Sequence, residues 1–395
     1  MKKHYKGKMM ENKVKICALT TISQTMELFV VDSMRNLSEN GYEITLVCDM
    51  DKEFVCKNSD YAKCIPLQMN RGASIGDLIK IPFKLVKIFR EGNYDVVYYM
   101  SPNASFYASV AAKFVGIKHR IYSQTGLRYV SLTGIKRNIF KIIEKVTCRL
   151  STTIRAVSPK NREYAISEGL CEENKISVVG IGGTIGVDLS LCDSFNIQEI
   201  RAELKNKYNI PKDAFVFGYV GRINADKGIN ELIKAFSEIE KKYNHTYLVL
   251  IGMMDRLNPI SRENMDIANK NPHIVLTGDI SVEMVYKHMS MFDILVHPTY
   301  REGFGKVLQE AMGMRLPIIT TDIPGPSEVI EDKISGILVK PKDAEGLVEK
   351  MEELYLDGDL RNSLAQNGRE RAEKYFDRPI MLNNILEDMN KLLGI

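Results

Sequence analysis

Two carboxylates eight positions apart, Glu302 and Glu310, bracket a run that reads Glu-Gly-Phe-Gly-Lys-Val-Leu-Gln-Glu. Gly303 and Gly305 let the backbone come close to a ligand. A helix opening near Gly305 presents unpaired N–H groups to an anion or a hydroxyl. Glu310 falls about one and a half to two turns into that helix. A carboxylate there can accept hydrogen bonds from a vicinal diol such as ribose. An ordinary surface glutamate is the plain alternative, and the apolar neighbours Ala311 and Met312 strain it. Upstream, Gly221–Gly228 reads Gly-Arg-Ile-Asn-Ala-Asp-Lys-Gly. Arg222 and Lys227 there stand in a strand-to-helix loop ahead of a helix N-terminus, which makes an anion site. A diphosphate departing from a sugar needs such charge, because negative charge gathers on it as the glycosidic bond breaks. Taken alone, chance cations in a wet loop would explain the same string. A third segment, Pro317–Glu328, is a buried strand followed by a Pro-Gly-Pro turn and needs no function.

The elements that must hold these residues alternate between short apolar runs and amphipathic segments, the pattern of α/β units with parallel sheets. In the first half, strands are expected at Val14–Leu19, Glu43–Cys48, Asp95–Met100, His119–Ser123, Thr153–Val157 and Lys175–Val179. Helices are expected at Met26–Glu39, Ile75–Arg90, Ala104–Val115, Ile135–Arg149 and Pro159–Glu168. A glycine-rich stretch, Gly180–Gly186, and a polar segment to about Asn209 read as a flexible junction. The alternation then restarts, with strands at Phe215–Val220, Thr246–Ile251, His273–Leu276, Asp293–His297, Pro317–Thr321 and Gly336–Val339. The last helices span Ala344 to Leu393. The expected domains are 1–190, 191–378 and a closing helix at 379–395 that packs back towards the first domain. Two such units place a ligand in the deep cleft between them.

Composition narrows the classes. A chain of 395 residues suits two domains, and 45% hydrophobic with 26% charged residues is ordinary for a soluble protein. No apolar run reaches the roughly 18 residues a membrane span needs. The basic start has no apolar core, so no signal peptide is expected. Its first ten residues read as disordered, with Met9 or Met10 as an alternative start. Seven scattered Cys, without a Cys-x-x-Cys pair or Cys/His cluster, argue for a reducing compartment and against zinc. Residues 1–190 carry 28 Lys and Arg against 18 Asp and Glu, and the remainder 26 against 32. The first half therefore faces something anionic or simply has a wet basic face. The helix Ile135–Arg149 combines Ile139, Ile142, Ile143 and Val146 with Lys136, Arg137, Lys141, Lys145 and Arg149. It fits an anionic bilayer or, more commonly, a core with a wet outer side. Asp49-Met50-Asp51 is a short acidic match that occurs by chance, and Asp357-Gly358-Asp359 is a turn; no metal is expected. His297 reads as structural. No dinucleotide fingerprint, nucleophile elbow or phosphate loop is present, and no nucleic-acid module accompanies the basic half.

The E-x7-E motif (Glu302, Glu310), the G-R-x4-K-G loop (Arg222, Lys227) and the order of elements over about 211–375 together resemble the family 4 glycosyltransferases, retaining enzymes of the GT-B fold. Segments such as Gln124–Arg128 and Ala156–Ser158 look like those of bacterial capsule, O-antigen and exopolysaccharide transferases. The resemblance implies two Rossmann-like α/β/α domains, with acceptor and nucleotide-sugar donor bound by the first and second. It implies that Arg222 and Lys227 bind the donor diphosphate, Glu310 the ribose and Glu302 the donor sugar. Gly303, Phe304 and Gly305 would offer backbone amides, and Gly278-Asp279-Ile280 would line the base pocket. Glu302, Arg222 and Lys227 form the implied catalytic set. Retention in this family is described as front-face attack, with the leaving phosphate helping to deprotonate the acceptor, so no nucleophile is assigned. The co-substrate would be a nucleotide sugar, UDP-linked by expectation, with no metal or other cofactor. The acceptor would be a polyprenyl-diphosphate-linked saccharide at the cytoplasmic face of the plasma membrane. Two departures concern the first domain. The loop Thr20–Thr25 lacks glycine, and Thr125 stands before Gly126 where many members have His. Two competing readings share the two-domain fold: a UDP-N-acetylglucosamine 2-epimerase, which lacks this E-x7-E run, and a non-catalytic partner subunit, which the intact motif disfavours.

Overall fold

In a computed structural model that describes residues 13–69, 75–256 and 258–395, every strand lies in one of two parallel sheets. The expectations on the first ten residues and on Met9 or Met10 lie outside the described residues. Contacts divide the chain into two units: residues up to Ile185 together with Leu382–Ile395, and Gly186–Met381.

The first unit has seven strands, β1 Lys15–Ile22, β2 Glu43–Asp49, β3 Ala62–Pro66, β4 Val96–Met100, β5 His119–Gln124, β6 Thr153–Ala156 and β7 Ile176–Val178. Their order is β3-β2-β1-β4-β5-β6-β7. The helices are α1 Ser23–Phe29, α2 Val31–Glu39, α3 Lys52–Asn58, α4 Ile75–Gly92, α5 Pro102–Val115, α6 Gly134–Leu150 and α7 Pro159–Ser167. One expected helix, Met26–Glu39, is thus two, broken at Val30. The strand β3 and helix α3 escape the sequence reading for a physical reason. The strand β3 is an edge strand ending in Pro66, with one buried residue in five, so its pattern is weak. Strand side chains alternate between faces. Cys17, Leu19, Val97 and Tyr99 pack with Leu85 of α4, Ala108 of α5, Cys148 of α6 and Ala165 of α7. Ile16, Ala18, Val96 and Met100 pack on the other face with Met26, Met34 and Leu37.

The second unit runs through α8 Leu189–Asp193, α9 Ile197–Lys207, β8 Phe215–Val220, α10 Ile229–Lys242, β9 Thr246–Ile251, α11 Arg262–Lys270, β10 Ile274–Gly278, α12 Val282–Met289, β11 Ile294–His297, α13 Lys306–Gly313, β12 Ile318–Thr321, α14 Pro326–Val329, β13 Ile337–Val339, α15 Ala344–Leu356 and α16 Gly358–Tyr375. Its sheet order is β10-β9-β8-β11-β12-β13. The final helix, α17 Arg378–Leu393, passes from the second set of residues into the first. Its later part is fixed there: Asp388 pairs with Arg155 at 2.7 Å, Asn390 accepts from Tyr42 at 2.5 Å, and Met389 is buried.

The polar stretch expected as a flexible junction is folded beyond the glycines. The helix α9 is tied down by Arg201, which pairs with Asp293 at 2.7 Å, while Asp293 also accepts from the Val216 N–H at 2.8 Å. Lys205 is buried, and its ammonium donates to the carbonyls of Lys212 and Ala214 at 2.9 and 2.7 Å. Charged composition there reflects a helix clamped by its own cations. Both sheets are buried on both faces; every residue of β9 is buried. The apolar stripe of α10, with Ile229, Leu232, Ile233 and Phe236, seals one face of the second core. Truncating Phe236 there would cost about 3–5 kcal/mol. Among the described residues, no helix is long and apolar enough to cross a membrane.

Candidate active site

In the second sheet the chain runs β8, β9, β10 in one direction and returns to place β11 beside β8. That reversal is a topological switch point, and open α/β sheets bind their ligands outside the carboxyl ends of the strands at such a point. Arg222 and Lys227 lie in the loop after β8, and Glu302 in the loop after β11. Parallel α/β connections bring them to one edge although the sequence separates them widely.

The two loops are pressed together. Gly228 caps α10 in the left-handed region, at φ +70°, and a Cβ there would sit 2.0 Å from the Pro298 carbonyl oxygen. The Tyr300 N–H donates to the Asp226 carbonyl at 2.8 Å. Asn224 caps the short turn before Gly228, accepting from the Lys227 N–H at 3.0 Å. Thr320 and Thr321 hold the second loop from beneath through the carbonyls of His297 and Thr299.

This packing sets Lys227 Nζ 2.5 Å from Glu302 Oε2. The two side chains are only 14% and 23% exposed. Burial alone would push the Glu302 carboxyl up. The charge of Lys227 and the hydrogen bonds from His297 and Lys227 outweigh it and hold the group well below the usual carboxylate range. His297 is buried, with Nε2 3.4 Å from the same Oε2 and its ring stacked on Tyr219 at 5.4 Å. Burial lowers its pKa, so it stands neutral and donates its Nε2 proton to Glu302. Among the described residues no hydrogen-bond partner reaches its Nδ1. The expectation of a structural His297 missed this contact. Its position at a strand end, two residues before Thr299 and five before Glu302, was the available signal.

The other expected residues fall as follows. Arg222 is exposed and pairs with Asp255 at 3.0 Å, while its carbonyl accepts from the Tyr219 hydroxyl at 2.9 Å. Gly305 caps α13 at φ +88°. The Gly303 N–H, expected to face a ligand, donates to Glu302 Oε1 at 3.1 Å. The Phe304 side chain is core, set edge-on to Phe376 at 5.9 Å. Glu310 is buried in α13, 3.4 Å from the Tyr286 hydroxyl and 3.5 Å from Lys306. Burial raises its pKa, and Lys306 only partly offsets that. Gly278 is the last residue of β10, at φ +72°, and Asp279 and Ile280 form the turn beyond it, two strands from β8. The structure therefore joins Lys227, Glu302 and His297; among the described residues no hydrogen bond or ion pair ties Arg222, Glu310 or the β10 turn to that trio.

Asp51, in the acidic match set aside above, caps α3 by accepting from the Phe54 N–H at 2.8 Å. Asp357 caps α16 in the same way at 2.9 Å. Among the described residues, no group of three or more His, Cys, Asp or Glu could hold a metal ion.

Two Rossmann-like parallel sheets in one chain, the second with a cation–carboxylate cluster at its switch point, define a two-domain α/β protein of the GT-B fold. The solved structure of Anabaena Alr3699/HepE in complex with UDP-glucose superposes with a TM-score of 0.79, at 18% identity, over 95% of this chain and 99% of that one. Two family profiles match: Glycosyl transferases group 1 over residues 200–371, and Glycosyl transferase 4-like over 15–158. The capsular polysaccharide biosynthesis glycosyltransferase CapM of Staphylococcus aureus is 31% identical over 380 residues, 96% of this chain and 97% of that protein. The N,N'-diacetylbacillosaminyl-diphospho-undecaprenol alpha-1,3-N-acetylgalactosaminyltransferase of Campylobacter jejuni is 26% identical over 92% and 95% of the respective chains. The chain belongs to the family 4 glycosyltransferases of the capsular polysaccharide type. It is a glycosyltransferase of capsular or related polysaccharide biosynthesis.

Proposed function

We propose that the protein transfers a hexose or N-acetylhexosamine from a nucleotide sugar, UDP-linked, to a lipid-linked saccharide with retention of the anomeric configuration. The observation that carries this reading is the Lys227–Glu302–His297 cluster at the switch point between β8 and β11. Lys227 and Arg222 are the cations for the diphosphate. As the bond from the anomeric carbon to the phosphate oxygen breaks, that oxygen gains charge, and a positioned ammonium stabilises it. The acceptor hydroxyl attacks the same face of the anomeric carbon and passes its proton to the departing phosphate oxygen. Glu302, ionised throughout the working range, holds sugar hydroxyls and orients Lys227. Glu310 accepts from the ribose hydroxyls, and Gly278–Ile280 border the base.

The UDP-glucose in the HepE structure supports the donor class, and the undecaprenol-linked substrate in the name of the Campylobacter relative supports the acceptor class. Such an acceptor sits in a bilayer, so this reading also has the enzyme work at the anionic cytoplasmic face of the plasma membrane. No step uses a metal.

The test is a thermal-shift panel of UDP, GDP, ADP and TDP on the wild type and on Glu310→Ala. A ligand at about 100 times its Kd adds about 2.7 kcal/mol. For a domain of this size each kcal/mol moves Tm by about 2–4 °C. UDP should stabilise the wild type and not the variant. Stabilisation by another base would revise the donor, and stabilisation by none would overturn the assignment. Release of UDP only when an acceptor is present separates transfer from epimerisation.

A further inference from the structure

The helix α6 is inverted with respect to an ordinary surface helix. The residues it buries include Glu144, Thr147 and Cys148, while Ile135 and Ile142 are 78% and 62% exposed and Ile139 is exposed beside them. These three isoleucines lie at i, i+4 and i+7 and form one stripe. The helix α4 repeats the arrangement: Ile79 and Phe83 share a stripe, and Phe83 is 72% exposed. Isolated exposed apolar residues are ordinary, but two matching stripes on one face are not.

Topology aligns the two stripes. Both helices connect parallel strands, α4 leading into β4 and α6 joining β5 to β6, so both run antiparallel to the strands. Both belong to the same face of the first sheet, with α5 packed against each of them. The apolar ends of both therefore lie towards the carboxyl ends of the strands. Further along each stripe the exposed positions turn basic: Lys87 and Arg90 on α4, Lys145 and Arg149 on α6. Among the described residues no ion pair engages Lys84, Lys145 or Arg149. The acids of the two helices are committed or withdrawn: Glu144 is buried, Glu91 pairs with Lys87, and Asp77 is half-buried.

We propose that α4 and α6 form a docking surface for an anionic bilayer, with Ile79, Phe83, Ile135, Ile139 and Ile142 inserted among the headgroups and the lysines and arginines over the phosphates. This rests on the reading of the enzyme as membrane-working and names the surface that does it. The charge pattern selects the occupant. Protein interfaces are depleted in lysine, whereas apolar prongs ringed by Lys and Arg match the surface of anionic lipid.

The experiment is co-sedimentation of the full chain with vesicles of phosphatidylcholine, alone or mixed with phosphatidylglycerol. The wild type should pellet with the mixed vesicles, release with salt, and stay in solution with phosphatidylcholine alone. Ile139→Ser/Ile142→Ser should weaken partitioning by about 100-fold, a factor of ten or more per isoleucine. Lys84→Gln/Lys145→Gln should weaken it by about fivefold per lysine. Every position is exposed, so the variants should fold and keep the nucleotide-induced rise in Tm. Wild type left in the supernatant with mixed vesicles, or variants that pellet as it does, would overturn the proposal. So would a wild type that self-associates while the isoleucine variant is monomeric, since the face would then join two copies. If no nucleotide stabilises the wild type, the donor reading fails whatever the vesicles show.

Discussion

Glu302→Gln should tighten the binding of UDP while it slows transfer. Lys227 is held by Glu302 at 2.5 Å, and on the proposed reading it must leave that carboxylate to serve the diphosphate. A pair of unit charges at about 4 Å in a partly buried setting interacts with about 4 kcal/mol before desolvation is counted. Exposures of 14% and 23% let water screen the pair, so the part lost when Lys227 changes partner is about 1–2 kcal/mol. Gln keeps the size and a hydrogen-bond acceptor but removes the charge. Calorimetric titration with UDP should then show affinity about 5–30-fold higher than wild type. The rate constant kcat should fall about 10²–10³-fold if Glu302 touches the sugar in the transition state. The Glu302 carboxyl titrates well below its unfolded value, near 4.3, so the wild type gains stability from it above that pH and loses it as pH falls. The tightening should therefore be flat through neutral pH, and Glu302→Gln should soften the acid loss of Tm. Unchanged or weaker UDP affinity in this variant would refute the idea that Glu302 restrains Lys227.

Lys227→Ala and Arg222→Ala should each lower kcat about 10²–10³-fold, and a near wild-type kcat in either would remove that residue from the phosphate site. Glu310→Ala should weaken UDP binding, and unchanged affinity would sink the ribose contact. Gly228→Ala should lower Tm by about 4–8 °C, since the left-handed backbone and the Pro298 carbonyl both oppose a Cβ; a Tm within a degree of wild type would mean that the two loops can part. Glu144, buried and bound by Tyr122 and Gln124 at 2.8 Å each, is pushed up to about 7 by burial. Its contribution to stability is complete below about 4.3 and is lost as pH rises to about 7, worth up to about 4 kcal/mol. Glu144→Gln should flatten that decline in a Tm–pH series, and an unaltered slope would place its cause elsewhere.

The strands were legible wherever apolar runs are buried on both faces, as in Thr246–Ile251, because no other element tolerates such a run between turns. Gly305 was legible only as a residue that lets the backbone approach a ligand; the structure shows that it and Gly228 are the left-handed residues before α13 and α10. What the sequence hid was partnership. Lys227 and Glu302 could each be assigned to an anion or a sugar, but nothing in their spacing showed that each would be the other's partner. His297 was hidden more deeply. A buried histidine beside a motif is usually structural, and only its distance to Glu302 and the neutral state enforced by burial give it work to do. The segment after Gly186 failed in the opposite direction: its charges suggested a solvated linker, yet Lys205 and Arg201 spend theirs on carbonyls and a carboxylate of their own unit.

The helix α6 shows why periodicity stops short of function. Its sequence repeats with the period of a helix, and the usual inference turns the apolar stripe inward. Periodicity fixes only that two faces differ. Which one is wet depends on the element beneath, and here β5 supplies Tyr122 and Gln124, whose polar groups require a partner. Glu144 answers that demand, and a helix has one inward face. Once Glu144 points in, positions 135, 139 and 142 must point out, so the apolar surface that a bilayer would cover follows from a buried hydrogen-bond requirement on the opposite side of the same helix.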